Sequence, residues 1–233
     1  MAKRKSSLLT WPFRILVKYK FVTALALFIG LGWMVVLRNA TQAPAPPPGQ
    51  IANVCKLFSE KANWYEHADR AYRRWGIPIS VQMAIVRQES SFISNAQPPR
   101  DWFLGIIPLP RPSSAFGYSQ AIDASWDLYR KKSNHKHADR ENFADAVDFV
   151  GWYCNVTHRT LGIKKTDARR LYLAYHEGHG GYRQRSYRQK AWLMPVAQTV
   201  ERNAKRYHKQ LMACEKSLKM TQTLDYVGRA GRS

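Results

Sequence analysis

Residues 80–92 read SVQMAIVRQESSF, and the fold turns on how they are spaced. Val81, Ala84, Ile85, Gln88 and Phe92 recur at the three-, four- and seven-residue intervals of one helical face, so the segment predicts a helix packed inward along that stripe. Glu89 falls four residues after Ile85 and eight after Val81, in the last turn, at the edge of the buried face. Partial desolvation and the negative end of the helix both disfavour an ionised carboxylate there, which raises its pKa towards the range where it can donate a proton. Helix geometry alone also admits a surface glutamate paired with Arg87 or Arg100.

The same period extends outward from this segment. Helices are predicted at about 53–75 (ended by Gly76 and Pro78), 80–91 (Ser80 as N-cap), 123–132, 141–160, 167–177 (capped by Thr166, ended by Gly178) and 192–218. No alternating strand pattern competes with them, so the fold class is all-α. Residues 93–116, ISNAQPPRDWFLGIIPLPRPSSAF, hold five prolines and exposed-looking aromatics and read as a long loop or short hairpin. Residues 219–233 read as a flexible tail.

The chain has 233 residues, 45% of them apolar, enough for one globular core with a short appendage and too few for two large domains. Thirty-seven Lys and Arg against sixteen Asp and Glu give a net charge of +21. The first 38 residues carry seven basic side chains and no acid, and the remainder is still strongly basic, which suits a polyanionic partner: nucleic acid, anionic lipid or an acidic cell-wall polymer.

From Phe21 to Leu37 run seventeen uncharged residues, FVTALALFIGLGWMVVL, framed by Lys18, Lys20 and Arg38. As a helix they span roughly 26 Å, slightly under the roughly 30 Å of a bilayer's hydrocarbon core. The excess of positive charge ahead of the run predicts a basic cytoplasmic head at 1–20, a single transmembrane anchor at 21–37, a Pro-rich linker at 38–50 and an exported domain at 51–218. A cleavable signal peptide is the competing reading; the length of the run and Pro46 directly after the candidate cut at Ala45 argue against it. An exported domain can form disulfides. Cys55 and Cys214 lie near its two ends and make the most economical pair, leaving Cys154 as a buried thiol.

Three motifs carry chemistry: QESSF at 88–92, GYSQ at 117–120 and AYHEG at 174–178. With the lead-in WGIP at 75–78 they resemble, in order, the ES-x-F, GLMQ and AYNAG signature of the lytic transglycosylases with a lysozyme-like fold. The resemblance spans most of 53–215. It implies a lysozyme-like helical domain behind the N-terminal anchor, cleaving the β-1,4 bond between MurNAc and GlcNAc in peptidoglycan and forming 1,6-anhydroMurNAc. By motif position Glu89 is the single acid and base. Ser90 would orient it or the sugar, Gly117, Tyr118, Ser119 and Gln120 would line the glycan cleft, and Tyr175 would reach towards the carboxyl. One carboxyl suffices because the sugar's own 6-hydroxyl is the nucleophile, whereas two-carboxylate glycosidases need a second residue. No cofactor or metal is implied.

The departures from the signature are specific. Tyr118-Ser119 replace Leu-Met, offering an aromatic platform and a hydroxyl. His176-Glu177 replace Asn-Ala and bring an imidazole and a second carboxylate, so that Glu177 could position water and turn the outcome to hydrolysis. HEGH at 176–179 fits zinc poorly, because its histidines are three apart and followed by glycines. Arg183, Arg185, Arg188 and Lys190 alternate with Tyr182, Tyr187 and Trp192, suiting sugar faces and the carboxylates of peptide stems. The expectation is thus a peptidoglycan-cleaving enzyme of the bacterial inner membrane, single-pass, with its catalytic domain in the periplasm and an envelope protein complex as a candidate partner. Its rivals are a hydrolytic muramidase and a non-catalytic glycan-binding scaffold. Nucleic acid is disfavoured as a partner for an exported domain.

Overall fold

The computed structural model describes residues 48–61, 63–104 and 107–230. The basic head at 1–20, the anchor at 21–37 and most of the linker lie outside the described residues. Among the described residues no helix is long and apolar enough to cross a membrane.

Seven α-helices follow one another there: α1 (Val54–Glu60), α2 (Trp64–Trp75), α3 (Ile79–Ser90), α4 (Asp123–Ser133), α5 (Phe143–Leu161), α6 (Ala168–Gln184) and α7 (Leu193–Ala230). Between α3 and α4 two short strands, β1 (Trp102–Phe103) and β2 (Ile107–Pro108), pair antiparallel with Trp102 opposite Pro108. The all-α expectation therefore holds with one small hairpin added, inside the stretch read as a loop or hairpin. Trp102 and Phe103 are exposed on it.

The ends of the helices follow local chemistry, not always at the predicted residue. The helix expected over 53–75 is two, because Asn63 turns left-handed (φ 70°), a conformation its short polar side chain tolerates. Asn53 caps α1 by accepting from the backbone N–H of Cys55 and Lys56. Pro78, not Ser80, precedes the first turn of α3, and Ser80 is buried inside it. Asp167, not Thr166, caps α6 through a 3.0 Å bond from the Arg170 amide. Gly178 breaks α6 as expected (φ 72°, ψ 164°), but the chain resumes a helical course to Gln184. A 3-10 turn at Ser186–Gln189 then leads into α7, which runs past the boundary expected at 218.

Helix α3 sits in the middle, packed against α2, α5, α6 and α7. Every residue from Ile79 to Val86 is buried, so this helix is enclosed all round over two turns and not along a single stripe. Neighbours on every side are the reason: a helix apolar on all faces belongs in the centre. Only its last turn, bearing Arg87, Gln88 and Glu89, emerges. Two contiguous aromatic groups pack beside it. Trp64 stacks on Phe143 at 3.8 Å with Tyr118 edge-on to both, and Tyr129, Phe149 and Trp152 interlock beneath α4. The buried Asp148 carboxylate is satisfied by Trp75, Tyr129 and Arg74 at 2.8, 2.8 and 3.1 Å.

Cys55 and Cys214 form the expected disulfide, with Cα atoms 6.2 Å apart, and Cys154 is a buried free thiol. The bond fastens α1 to α7. Gln210 reinforces it, accepting from the Val54 amide at 2.9 Å and donating to the Ala52 carbonyl at 3.2 Å.

Candidate active site

The exposed end of α3 faces a cleft of about 390 Å³. Glu89, Gln120, Tyr175, His176 and Glu177 line it, with Phe149 and Tyr153 of α5 as an aromatic floor. Five residues singled out from the three motifs thus meet around one hollow. Ser90, Gly117, Tyr118 and Ser119 do not line it.

Glu89 is half-buried as a residue, and its Oε1 atom is sealed from solvent without a hydrogen-bond partner. Burial pushes the carboxyl up to about 8, against the opposing pull of a hydrogen bond from the Tyr172 hydroxyl. Among the described residues no cation forms an ion pair with it: Arg87, one of the two neighbours that a surface reading would pair with it, donates instead to the Tyr207 hydroxyl at 3.2 Å. Tyr172 and Tyr175 are both pushed up, first by burial and then by the neighbouring Glu89, so both remain protonated donors. Directly after α3, Ser91 and Phe92 adopt left-handed conformations (φ 51° and 64°). Such a conformation in a bulky Phe is costly, and here the burial of its ring against Trp64 holds it. The strained turn ends the helix immediately past the carboxylate.

The GYSQ segment works as a frame. Gly117 has φ +75°, and a Cβ there would lie 2.2 Å from the Arg140 carbonyl oxygen, so only glycine fits. Tyr118 is not an exposed platform; its ring packs into the Trp64–Phe143 group, because its amide is tied to the Arg140 carbonyl at 3.2 Å. Ser119 is fully buried, and its carbonyl accepts the Tyr175 hydroxyl at 2.7 Å. Gln120 braces the loop, its amide nitrogen donating to the Ala96 and Gly117 carbonyls at 2.8 and 2.9 Å. The Ser90 hydroxyl turns back to the Val86 carbonyl at 3.2 Å, away from the cleft.

Glu177 is 2% exposed as a side chain. Burial alone would raise its pKa, but hydrogen bonds from Lys190, Ser186 and His176 outweigh that and pull it down to about 2. The Lys190 ammonium lies 2.6 Å and His176 Nδ1 2.9 Å from Oε1, while Ser186 donates to Oε2. The His176 ring also meets Trp192 edge-on at 5.1 Å. His179 does not share a site with His176; it bonds Thr157 at 2.8 Å and stacks on Tyr153.

Four side chains, Tyr172, Lys190, Ser186 and Arg140, have roles that the sequence reading missed. Tyr172 is the donor to Glu89, the place expected of Tyr175. The available signal was RLYLAY, which sets two tyrosines three apart on one helical face. Lys190 and Ser186, which hold Glu177 ionised, stand nine or more residues away across a glycine break that hides the pairing. Arg140, which braces the loop by donating to the Ser114 and Ala121 carbonyls, gave no local signal.

The cleft of this helical domain thus gathers the half-buried Glu89 carboxyl and a set of aromatic rings around one hollow. A family model described as a transglycosylase SLT domain matches residues 28–214, and the chain belongs to that family. At the family level it is a lytic-transglycosylase-type enzyme cleaving glycosidic bonds, with peptidoglycan as its substrate class. No curated protein matches the chain.

Proposed function

We propose that the chain is a peptidoglycan lytic transglycosylase in which Glu89 is both acid and base. The carboxyl gives its proton to the oxygen of the β-1,4 bond between MurNAc and GlcNAc as that bond breaks. The resulting carboxylate then takes the proton of the MurNAc 6-hydroxyl as its oxygen bonds to C1, closing the 1,6-anhydro ring. No water enters, and the acid form is restored. The single observation that supports this most is a cleft carboxyl whose burial pushes its pKa up to about 8, with no ion-pair partner among the described residues.

Glu177 argues against the hydrolytic rival. With a pKa near 2 and both oxygens occupied, it is a poor base for activating water. Its place is structural, holding the 3-10 turn against α6. The Cys55–Cys214 disulfide supports an oxidising compartment, and with the apolar run at 21–37 it favours a domain tethered to the bacterial inner membrane and facing the periplasm.

Mass spectrometry of material released from purified sacculi tests the reaction. Products ending in 1,6-anhydroMurNAc are expected. Reducing MurNAc ends would assign a muramidase instead, and binding without release would assign a scaffold.

Tyr172 positions Glu89 and stabilises its ionised form, so Tyr172→Phe removes a group that lowers the pKa. Cleavage requires the acid form and falls as pH rises through about 8; in Tyr172→Phe this alkaline limb of kcat/KM is expected to move to higher pH. A limb that stays in place would mean that the phenol does not act on the carboxyl.

A further inference from the structure

A second hollow, of about 780 Å³, opens beside α6. Helix α6 gives Tyr175, His176 and Glu177 to the Glu89 cleft, and Arg169, Leu173 and Tyr182 to this one. The 3-10 turn adds Tyr187 and Arg188, and Lys164 comes from the loop ahead of α6. The rings of Tyr182 and Tyr187 lie 5.4 Å apart at 32°, a half-buried aromatic pair, and Leu173 and Met194 form an apolar wall.

The charges of this hollow are unbalanced. Its two carboxylates are already engaged, Asp167 with Arg170 at 3.6 Å and Glu201 with Lys205 at 2.6 Å. Lys164, Arg169 and Arg188 have no ion-pair partner among the described residues. Three free cations around an aromatic and aliphatic surface suit a ligand with more than one carboxylate and some apolar body, since guanidinium groups bind carboxylates in a forked, charge-assisted geometry. Asp167 and Glu201 in the lining disfavour a phosphate polymer, which carries negative charge without relief.

We infer that this second cleft binds the carboxylate-bearing peptide stems of peptidoglycan, holding the wall polymer by its peptides while the Glu89 cleft holds its glycan. The inference rests on the proposed substrate, and its test is separable from the proposed reaction, because a free stem peptide has no glycosidic bond to cleave.

A fluorescently labelled stem peptide is titrated into the intact chain and followed by anisotropy, beside the same peptide with its carboxylates amidated. Amidation is expected to weaken binding about tenfold or more, as loss of charge-assisted bonds requires. Arg169→Ala/Arg188→Ala is expected to weaken binding of the unmodified stem by a similar factor at unchanged far-ultraviolet circular dichroism, with Arg169→Lys/Arg188→Lys recovering part of it. Equal binding of the two peptides, no binding at all, or full binding by the alanine variant would overturn the assignment. So would tighter binding of inorganic polyphosphate than of the stem, since the cleft would then belong to a phosphate polymer.

Discussion

Glu89→Gln is expected to lower kcat for glycan cleavage by roughly 10²–10⁴-fold, the range that general acid–base catalysis supplies, while KM changes little. The amide keeps the shape of the side chain at the end of α3 but can neither give nor take the proton. The same substitution carries a stability signature independent of substrate. Burial raises the Glu89 pKa from an ordinary 4.5 to about 8, so the folded state prefers the proton more than the unfolded state does. Its stabilising contribution is complete below about pH 4.5 and is lost as pH rises through about 8. Wild type and Glu89→Gln should therefore melt alike at pH 4 and diverge at pH 9, with the variant melting higher. Thermal melts across that range check it; identical curves at both ends would show that the carboxyl is not buried in solution.

Cys55→Ala/Cys214→Ala is the second large effect. The bond spans 159 residues. In the chain-entropy treatment, closing so long a loop removes on the order of 5 kcal/mol from the unfolded state, an upper figure for what the double substitution costs. That is comparable with the whole stability of many domains. For a domain of this size the melting temperature should fall by about 10–20 °C. A fall of a few degrees in the variant, or in wild type with reductant, would mean that α1 and α7 hold the chain ends by packing alone.

The architecture was legible where periodicity and punctuation coincide. Gly76 and Gly178 each interrupt the helical course through a positive φ, as their positions suggested. The disulfide followed from an economy of chain ends. Less legible were features decided by a neighbour distant in sequence. Ser80 could have capped α3, but that turn is enclosed by other helices and Pro78 starts it. Tyr118 read as an aromatic platform of the glycan cleft, but beside the close approach of Arg140 at Gly117 its ring packs inward against Trp64 and Phe143. Glu89 could be read from its motif, whereas the choice of Tyr172 over Tyr175 as its partner depends on how α6 rotates against α3, which sequence spacing leaves open by one turn.

The 3-10 turn at 186–189 has a consequence for how the two hollows have to change together. On one side Ser186 and the following Lys190 clamp Glu177; on the other Tyr187 and Arg188 form part of a wall. Five consecutive residues, 186–190, have little slack, so remodelling either surface tugs on its opposite, and drift at these positions should be correlated, not independent.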